Sequence, residues 1–103
     1  MQNYPVRPDH RKNLVPAALA AIARGHFEKV EVGETDVRGS FGAIESLVVK
    51  AAGRELAVEV RMNPRVEEPV ARETIARYNR FLEEVTGYSS KERARRLRKS
   101  AGA

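Results

Sequence analysis

The residues with the clearest chemical potential form a basic cluster near the C-terminus, within the stretch SSKERARRLRKS. The cluster consists of Lys91, Arg93, Arg95, Arg96, Arg98 and Lys99. Arginine can hold a phosphate group through two parallel hydrogen bonds. Engaging about four to six phosphates would give a log–log salt slope of about −4 to −5 on duplex DNA. The cluster is therefore a candidate site for the backbone of DNA or RNA.

A second interpretation of this cluster is a solvated basic helix face that improves solubility, since runs of like charge usually have that role. The formal net charge is +5. Residues 90–103 account for all of it, because residues 1–89 carry equal numbers of cations and anions. The sequence thus predicts a single domain over residues 1–89 and a basic C-terminal helix or tail over residues 90–103.

A long helix and the turn after it would position the cluster. The segment EEPVARETIARYNRFLEEVTG has apolar residues at helical spacing, which predicts one buried face. The residues expected on that face are Ala71, Ile75, Tyr78, Leu82 and Val85. Gly87 is expected as the left-handed cap, and Ser89 to Glu92 form a capping box that predicts the start of a last helix. That helix would dock through Leu97 and display its cations.

The middle of the chain changes to a two-residue period, as RELAVEVRM shows, and this indicates a strand with one wet face. Segments 43–51 and 28–34 predict two further strands, and residues 35–42, with two glycines, are interpreted as a turn. NYPVRP suits an additional edge strand, and NLVPAALAAIARGHF predicts a first helix with Asn13 as its N-cap. The expected fold is α+β: a two-layer sandwich whose antiparallel sheet of 3–4 strands carries the long helix on one face.

The exposed positions of the strand RELAVEVRMN bear on the choice of partner. They are Glu55, Ala57, Glu59, Arg61 and Asn63. None is aromatic, which argues against base stacking on the sheet. A basic surface joining the C-terminal cluster to Lys50, Arg61 and Arg65 would favour nucleic acid. An apolar open sheet face or a free sheet edge would favour the alternative, a homodimer or another protein as partner.

The sequence gives little support for metal binding, catalysis or membrane insertion. There is no cysteine, and His10 and His26 lack metal-ligand spacing, so we expect no metal site and no cofactor. RGSFG lacks the pattern of a phosphate-binding loop, and no acid–base constellation is evident, so we expect a non-enzymatic protein. No apolar run spans a bilayer, and the first residues lack the apolar core of a signal peptide. The expectation is a cytoplasmic protein without a membrane partner.

Three stretches carry a resemblance to a known family: GAIESLVV, LAVEVRMNP and ETIARYNRFLEEVTGYSSKERARRL. They resemble small archaeal proteins of unknown function with a two-layer, TATA-box-binding-protein-like (helix-grip) fold. The last stretch is the most specific, and the residues before Ala43 fit in pattern only. The resemblance implies the fold and carries no catalytic residue. A fold shared with a DNA-binding protein does not establish DNA binding.

Overall fold

The computed structural model describes the backbone of residues 2–102 and the side chains of residues 2–97. These residues form five strands, three α-helices and a 3-10 helix. In chain order the elements are β1 (Gln2–Pro5), the 3-10 helix (Pro8–Asn13), α1 (Pro16–Arg24), β2 (Lys29–Val32), β3 (Asp36–Phe41), β4 (Ile44–Ala52), β5 (Glu55–Met62), α2 (Glu68–Thr86) and α3 (Ser90–Gly102).

The five strands form one antiparallel sheet in the order β1-β5-β4-β3-β2. The α+β class is confirmed, but the expected count of 3–4 strands is wrong. The additional strand is β3, which lies where the sequence was interpreted as a turn. Its Gly39 marks close packing within a strand, because a Cβ there would collide with the Phe27 ring and lie 2.8 Å from the carbonyl oxygen of Lys29.

The register of the strands separates the two faces of the sheet. Val49 lies opposite Val37 on β3 and Val58 on β5, and all three side chains are buried on the face that the helices cover. Val48 points to the other face, opposite Arg38 and Glu59. The protein is therefore a two-layer sandwich with one sheet face open to solvent.

Helix α2 packs on the sheet, and its C-terminal end sets the position of the turn at Gly87 and of α3. Phe81, Leu82 and Val85 are buried, whereas Ile75, which was expected inward, is 50% exposed. Only the second half of the predicted apolar face is thus fully covered. Gly87 adopts φ 80°, and its N–H donates to the carbonyl oxygen of Glu83 at 2.7 Å. This confirms the predicted left-handed cap.

The start of α1 differs from the prediction. Val15, not Asn13, precedes its first residue, because the chain from Pro8 to Asn13 forms the 3-10 helix. The Asn13 side chain instead donates to the carbonyl oxygen of Val85 at 3.2 Å. It thereby serves the end of α2, where the last carbonyls lack a partner within the helix.

Among the described helices, none combines the length and the apolar character that crossing a bilayer requires.

Candidate nucleic-acid interface

The turn between α2 and α3 fixes where the basic cluster begins. The N–H of Glu92 donates to Ser89 Oγ at 3.2 Å, and the N–H of Ser89 donates to Glu92 Oε1 at 3.4 Å. This reciprocal pair confirms the predicted capping box. Because Gly87 ends α2 only two residues earlier, α3 starts in a defined direction relative to the long helix.

Arg93 ties α3 to the rest of the protein. It is only 3% exposed. Its Nη1 donates to the carbonyl oxygen of Tyr88 at 2.6 Å, and its Nη2 donates to Asn79 Oδ1 at 3.0 Å. Its guanidinium also lies 6.0 Å from the centre of the Tyr4 ring on β1. One of the six predicted site cations therefore acts as a link between α3, α2 and β1 and is not displayed.

The surroundings of Arg93 shift two ionisation equilibria. Burial lowers the pKa of Arg93, and the nearby Tyr4, Tyr78 and Glu83 partly oppose that effect. The guanidinium keeps its charge at neutral pH because its ordinary pKa lies far above 7. Burial also raises the pKa of Tyr78, with a further contribution from Tyr4. This cluster at the base of α3 thus holds one positive charge beside the protonated phenol of Tyr78.

The cations on the outer side of α3 are placed differently. Lys91, Arg95 and Arg96 are exposed. Lys91 and Arg95 each lie two residues from Arg93, which places them on nearly the opposite side of a helix with 3.6 residues per turn. Arg98 and Lys99, the other predicted site residues, lie outside the residues whose side chains are described. Docking through Arg93 therefore leaves the neighbouring cations accessible.

Tyr88 brings the two ends of the chain together. The guanidinium of Arg96 lies 4.1 Å from the centre of the Tyr88 ring, and that of Arg7 lies 5.7 Å from it. Arg7 is held there because its N–H donates to the carbonyl oxygen of Thr86 at 2.9 Å. Arg7 and Arg96 at Tyr88, together with the exposed Lys91 and Arg95 of α3, form what is called the Tyr88 basic surface.

The contribution of Arg7 is not evident from the sequence. The sequence separation from the C-terminal cluster gives no signal, and only the backbone bond to Thr86 makes the two segments neighbours. Arg7 also pairs with Asp9 at 3.6 Å, and Asp9 Oδ1 lies 2.9 Å from His10 Nδ1. The hydrogen bond to His10 is the largest cause that lowers the pKa of Asp9. The carboxylate thus persists beside Arg7 and balances part of its charge.

The open face of the sheet carries charges of both signs. Its central groove encloses about 530 Å³. The lining residues are Asp36, Arg38, Ser46, Val48, Lys50, Glu59, Val60 and Arg61. This described lining includes no aromatic side chain, so it offers no platform for stacked bases.

A basic surface joining the C-terminal cluster to Lys50 and Arg61 would have favoured nucleic acid, but the described side chains do not form one. Arg93 reaches Tyr4, and Tyr4 pairs with Leu56 on the helix-covered side. The first turn of α3 therefore lies on the opposite face of the sheet from Lys50 and Arg61. The cation from another segment that lies near α3 is Arg7.

The two histidines each form one pair with a carboxylate. His26 Nε2 lies 3.0 Å from Glu84 Oε2, and His10 pairs with Asp9. Within the described residues, no group of three or more His, Cys, Asp or Glu side chains is arranged to hold a metal ion. His26 therefore connects the end of α1 to α2, whereas His10 contacts its own neighbour in the 3-10 helix.

Comparison with known proteins gives a similar solved structure and a matching family. A hypothetical protein from Thermoplasma acidophilum, solved by NMR in solution, has a similar structure, with a TM-score of 0.68 and 24% sequence identity. The likeness covers 94% of this chain and 97% of the other and concerns the fold. No protein of curated function matches the sequence. The family model described as "Domain of unknown function (DUF5611)" matches residues 1–99, and the chain therefore belongs to that family.

Proposed function

We propose that the protein is a non-enzymatic domain that contacts the phosphate backbone of nucleic acid through the Tyr88 basic surface. The observation that carries the proposal is the packing of Arg7 and Arg96 against the same Tyr88 ring. It brings Arg7 and Arg96 from distant parts of the sequence to one ring, on a helix that also exposes Lys91 and Arg95. Such clustering on one surface is the electrostatic footprint of backbone binding.

The side-chain types of this surface suit phosphate. Three of its four members are arginines, which form bidentate hydrogen bonds to phosphate oxygens. Tyr88 restricts the guanidinium of Arg96, so less conformational freedom is lost when that group binds. Four phosphate contacts on duplex DNA would give a log–log salt slope of about −3.6. We therefore propose contact that weakens steeply as the salt concentration rises.

Recognition without base reading is the second part of the proposal. The open sheet face would have to supply aromatic side chains for single-strand stacking, or basic and apolar residues for a saddle of the TATA-binding kind. Its groove offers alternating charges instead, including Asp36 and Glu59. The proposed contact is therefore weakly selective for sequence and concerns the backbone of DNA or RNA.

Two further attributes belong to this proposal. We keep the TATA-box-binding-protein-like description of the fold, which the five-stranded antiparallel sheet with its helices on one face supports. A cytoplasmic location is likewise proposed, since the proposed partner is the nucleic acid inside the cell. Neither attribute is an argument for DNA binding by itself.

The test compares two double variants of the full chain. Binding to labelled duplex DNA and to structured RNA is measured at about 50 and about 200 mM salt. Lys91→Ala/Arg95→Ala should weaken binding and reduce the salt slope by about 2. Arg61→Ala/Arg65→Ala removes the same charge elsewhere and should leave both quantities unchanged. Absence of binding by the unaltered chain at about 50 mM salt would refute the proposal.

A truncation after residue 89 would be a poorer test. It removes Arg93 together with the exposed cations and uncovers Tyr4 and Asn79, which Arg93 contacts. Loss of binding would then mix lost charge with lost structure. The double variants keep Arg93 and the capping box, so they isolate the displayed charge.

A further inference from the structure

Helix α1 leaves an apolar face without a partner in the described part of the chain. Residues 14–23 contain no polar side chain, and a helix that is apolar all round is normally buried on all sides. Leu19, Ala20 and Ala23 are buried, but Ala17 and Ala21 on the other side are exposed. The exposed face of α1 does not by itself identify a partner. The neighbouring strand β2 gives the additional evidence.

Strand β2 is the open edge of the sheet. It pairs with β3 alone among the described strands, and its four residues contain no proline. The opposite edge, β1, includes Pro5 and lies beside α3, whose Arg93 reaches Tyr4. Proline and a covering element are two ways in which proteins protect an edge strand. Strand β2 contains no proline, and no described element covers its outer edge.

The backbone of β2 presents free hydrogen-bonding groups at this edge. The N–H of Gly33 donates to the carbonyl oxygen of Asp36 at 2.8 Å, which identifies a hydrogen-bonded pair in the β2–β3 ladder. Such pairs alternate along an antiparallel ladder, so Glu31 and Lys29 also bond to β3. The peptide groups of Val30 and Val32 consequently face outward and are available to another strand.

We propose that this edge pairs with the same edge of a second copy, giving a twofold-symmetric dimer with a ten-stranded sheet. The pairing is antiparallel and centred on Val30, which lies opposite Val30 of the second copy. This register connects the free N–H and carbonyl groups of both valines. It also places Lys29 of each copy opposite Glu31 of the other on the open face of the sheet.

Charge complementarity selects both the register and the occupant. Opposite charges that face each other across strands are stabilising, and like charges are destabilising. If the register moved by two residues, Val30 would lie opposite Val32, and Glu31 of one copy would lie opposite Glu31 of the other. A strand of sequence Lys-Val-Glu-Val is therefore complementary to itself in one antiparallel register. A twofold axis repeats such contacts in the way that symmetric dimers require.

Exposed apolar residues on β2 and just before α1, the helix that packs on β2, fit the same arrangement. Val32 is 48% exposed and Val15, just before α1, is 50% exposed. Helix α1 packs on β2 and β3, so pairing through β2 brings the α1 helices of both copies to the same side of the extended sheet. The exposed alanines let two helices approach closely, and their burial adds to the strand hydrogen bonds.

The first test is the oligomeric state of the full chain without nucleic acid, measured by sedimentation velocity over a range of concentrations. The unaltered chain should show a dimer. Lys29→Glu should weaken dimerisation at least tenfold, and so should Glu31→Lys, but an equimolar mixture of the two variants should form a heterodimer. A monomer at all concentrations, or failure of the mixture to associate, would overturn the proposal. Circular dichroism of each variant controls for folding.

The second test locates the register. The chain has no cysteine, so Val30→Cys introduces a single thiol. Directly opposite residues of a hydrogen-bonded pair have Cα atoms about 5.5 Å apart, which suits a disulfide. Mild oxidation should cross-link Val30→Cys into a dimer but not Val32→Cys, whose thiol would lie opposite Glu28. Equal cross-linking of the two variants would contradict the register. Both tests are independent of nucleic-acid binding.

Discussion

Arg93 in α3 donates a 3.0 Å hydrogen bond to Asn79 Oδ1 in the long helix α2, and its other terminal nitrogen donates to the carbonyl oxygen of Tyr88. One buried guanidinium thus satisfies a side-chain amide oxygen and a backbone carbonyl where α2 gives way to α3. Hydrogen bonds to charged groups contribute more than neutral ones, and leaving such acceptors unpaired in a buried site is costly. Arg93 is therefore expected to contribute strongly to the packing of α3 against α2 and β1.

Replacing Arg93 should affect stability more than replacing an exposed arginine of α3. Arg93→Ala is expected to lower the free energy of unfolding by about 2–3 kcal/mol, because Asn79 Oδ1 and the Tyr88 carbonyl oxygen both lose a charged donor. Arg95→Ala removes the same charge from an exposed position and should change stability by less than about 0.5 kcal/mol. Chemical denaturation followed by circular dichroism measures both. Similar losses for the two variants would contradict the assigned role of Arg93.

The pH dependence of stability should reveal Tyr78. Burial raises the pKa of Tyr78 above its ordinary value of 10.0. Below pH 10 the phenol is protonated in both the folded and the unfolded chain, so the group contributes no pH dependence there. Above it the unfolded chain releases the proton first, and stability falls as pH rises, by up to about 1.4 kcal/mol per pH unit for one group.

Tyr78→Phe removes this group and should make the alkaline loss of stability less steep. Guanidinium denaturation at about pH 8 and about pH 11 measures the difference between the variant and the unaltered chain. The comparison is internal, because lysines and the other tyrosines are common to both proteins. Identical alkaline losses would mean that Tyr78 ionises as easily in the folded protein as in the unfolded chain.

Arg7 gives a prediction that the sequence alone does not suggest. If the Tyr88 basic surface contacts phosphates, Arg7→Ala should weaken binding to duplex DNA and reduce the salt slope by about 1. Arg65→Ala, at an exposed position beyond β5, is the matched control and should have no effect. Titrations at several salt concentrations measure both. Thermal melting should accompany them, since Arg7 also pairs with Asp9. Equal slopes for the two variants would remove Arg7 from the interface.

The sequence predicted those features that depend on local patterns. The cap at Gly87 and the box from Ser89 to Glu92 are set by neighbouring residues, so both were predicted correctly. The local sequence does not show that Arg93 is buried and Arg95 exposed, because the burial of Arg93 depends on Asn79 and Tyr4 from other elements. The pattern had suggested docking through Leu97, since an apolar residue is the usual contact.

The strand β3 was missed for a related reason. Glycine in a short polar segment normally indicates a turn, and Gly39 and Gly42 occur close together. Gly42 does lie in the tight turn after β3, with φ 50°. Gly39 instead lies within the strand, where the ring of Phe27 occupies the space that a side chain would need. Only the tertiary contact with Phe27 separates these two roles of glycine.

Substitution of Gly39 tests this explanation. Gly39→Ala should destabilise the protein by about 1–3 kcal/mol, because the added methyl group forces Phe27 or the backbone of Lys29 to move. Ser40→Ala, the next position on the same strand, faces the open side of the sheet and should cost less than about 0.5 kcal/mol. Chemical denaturation distinguishes the two. If Gly39→Ala is as stable as Ser40→Ala, Phe27 does not fill that space, and the glycine needs another explanation.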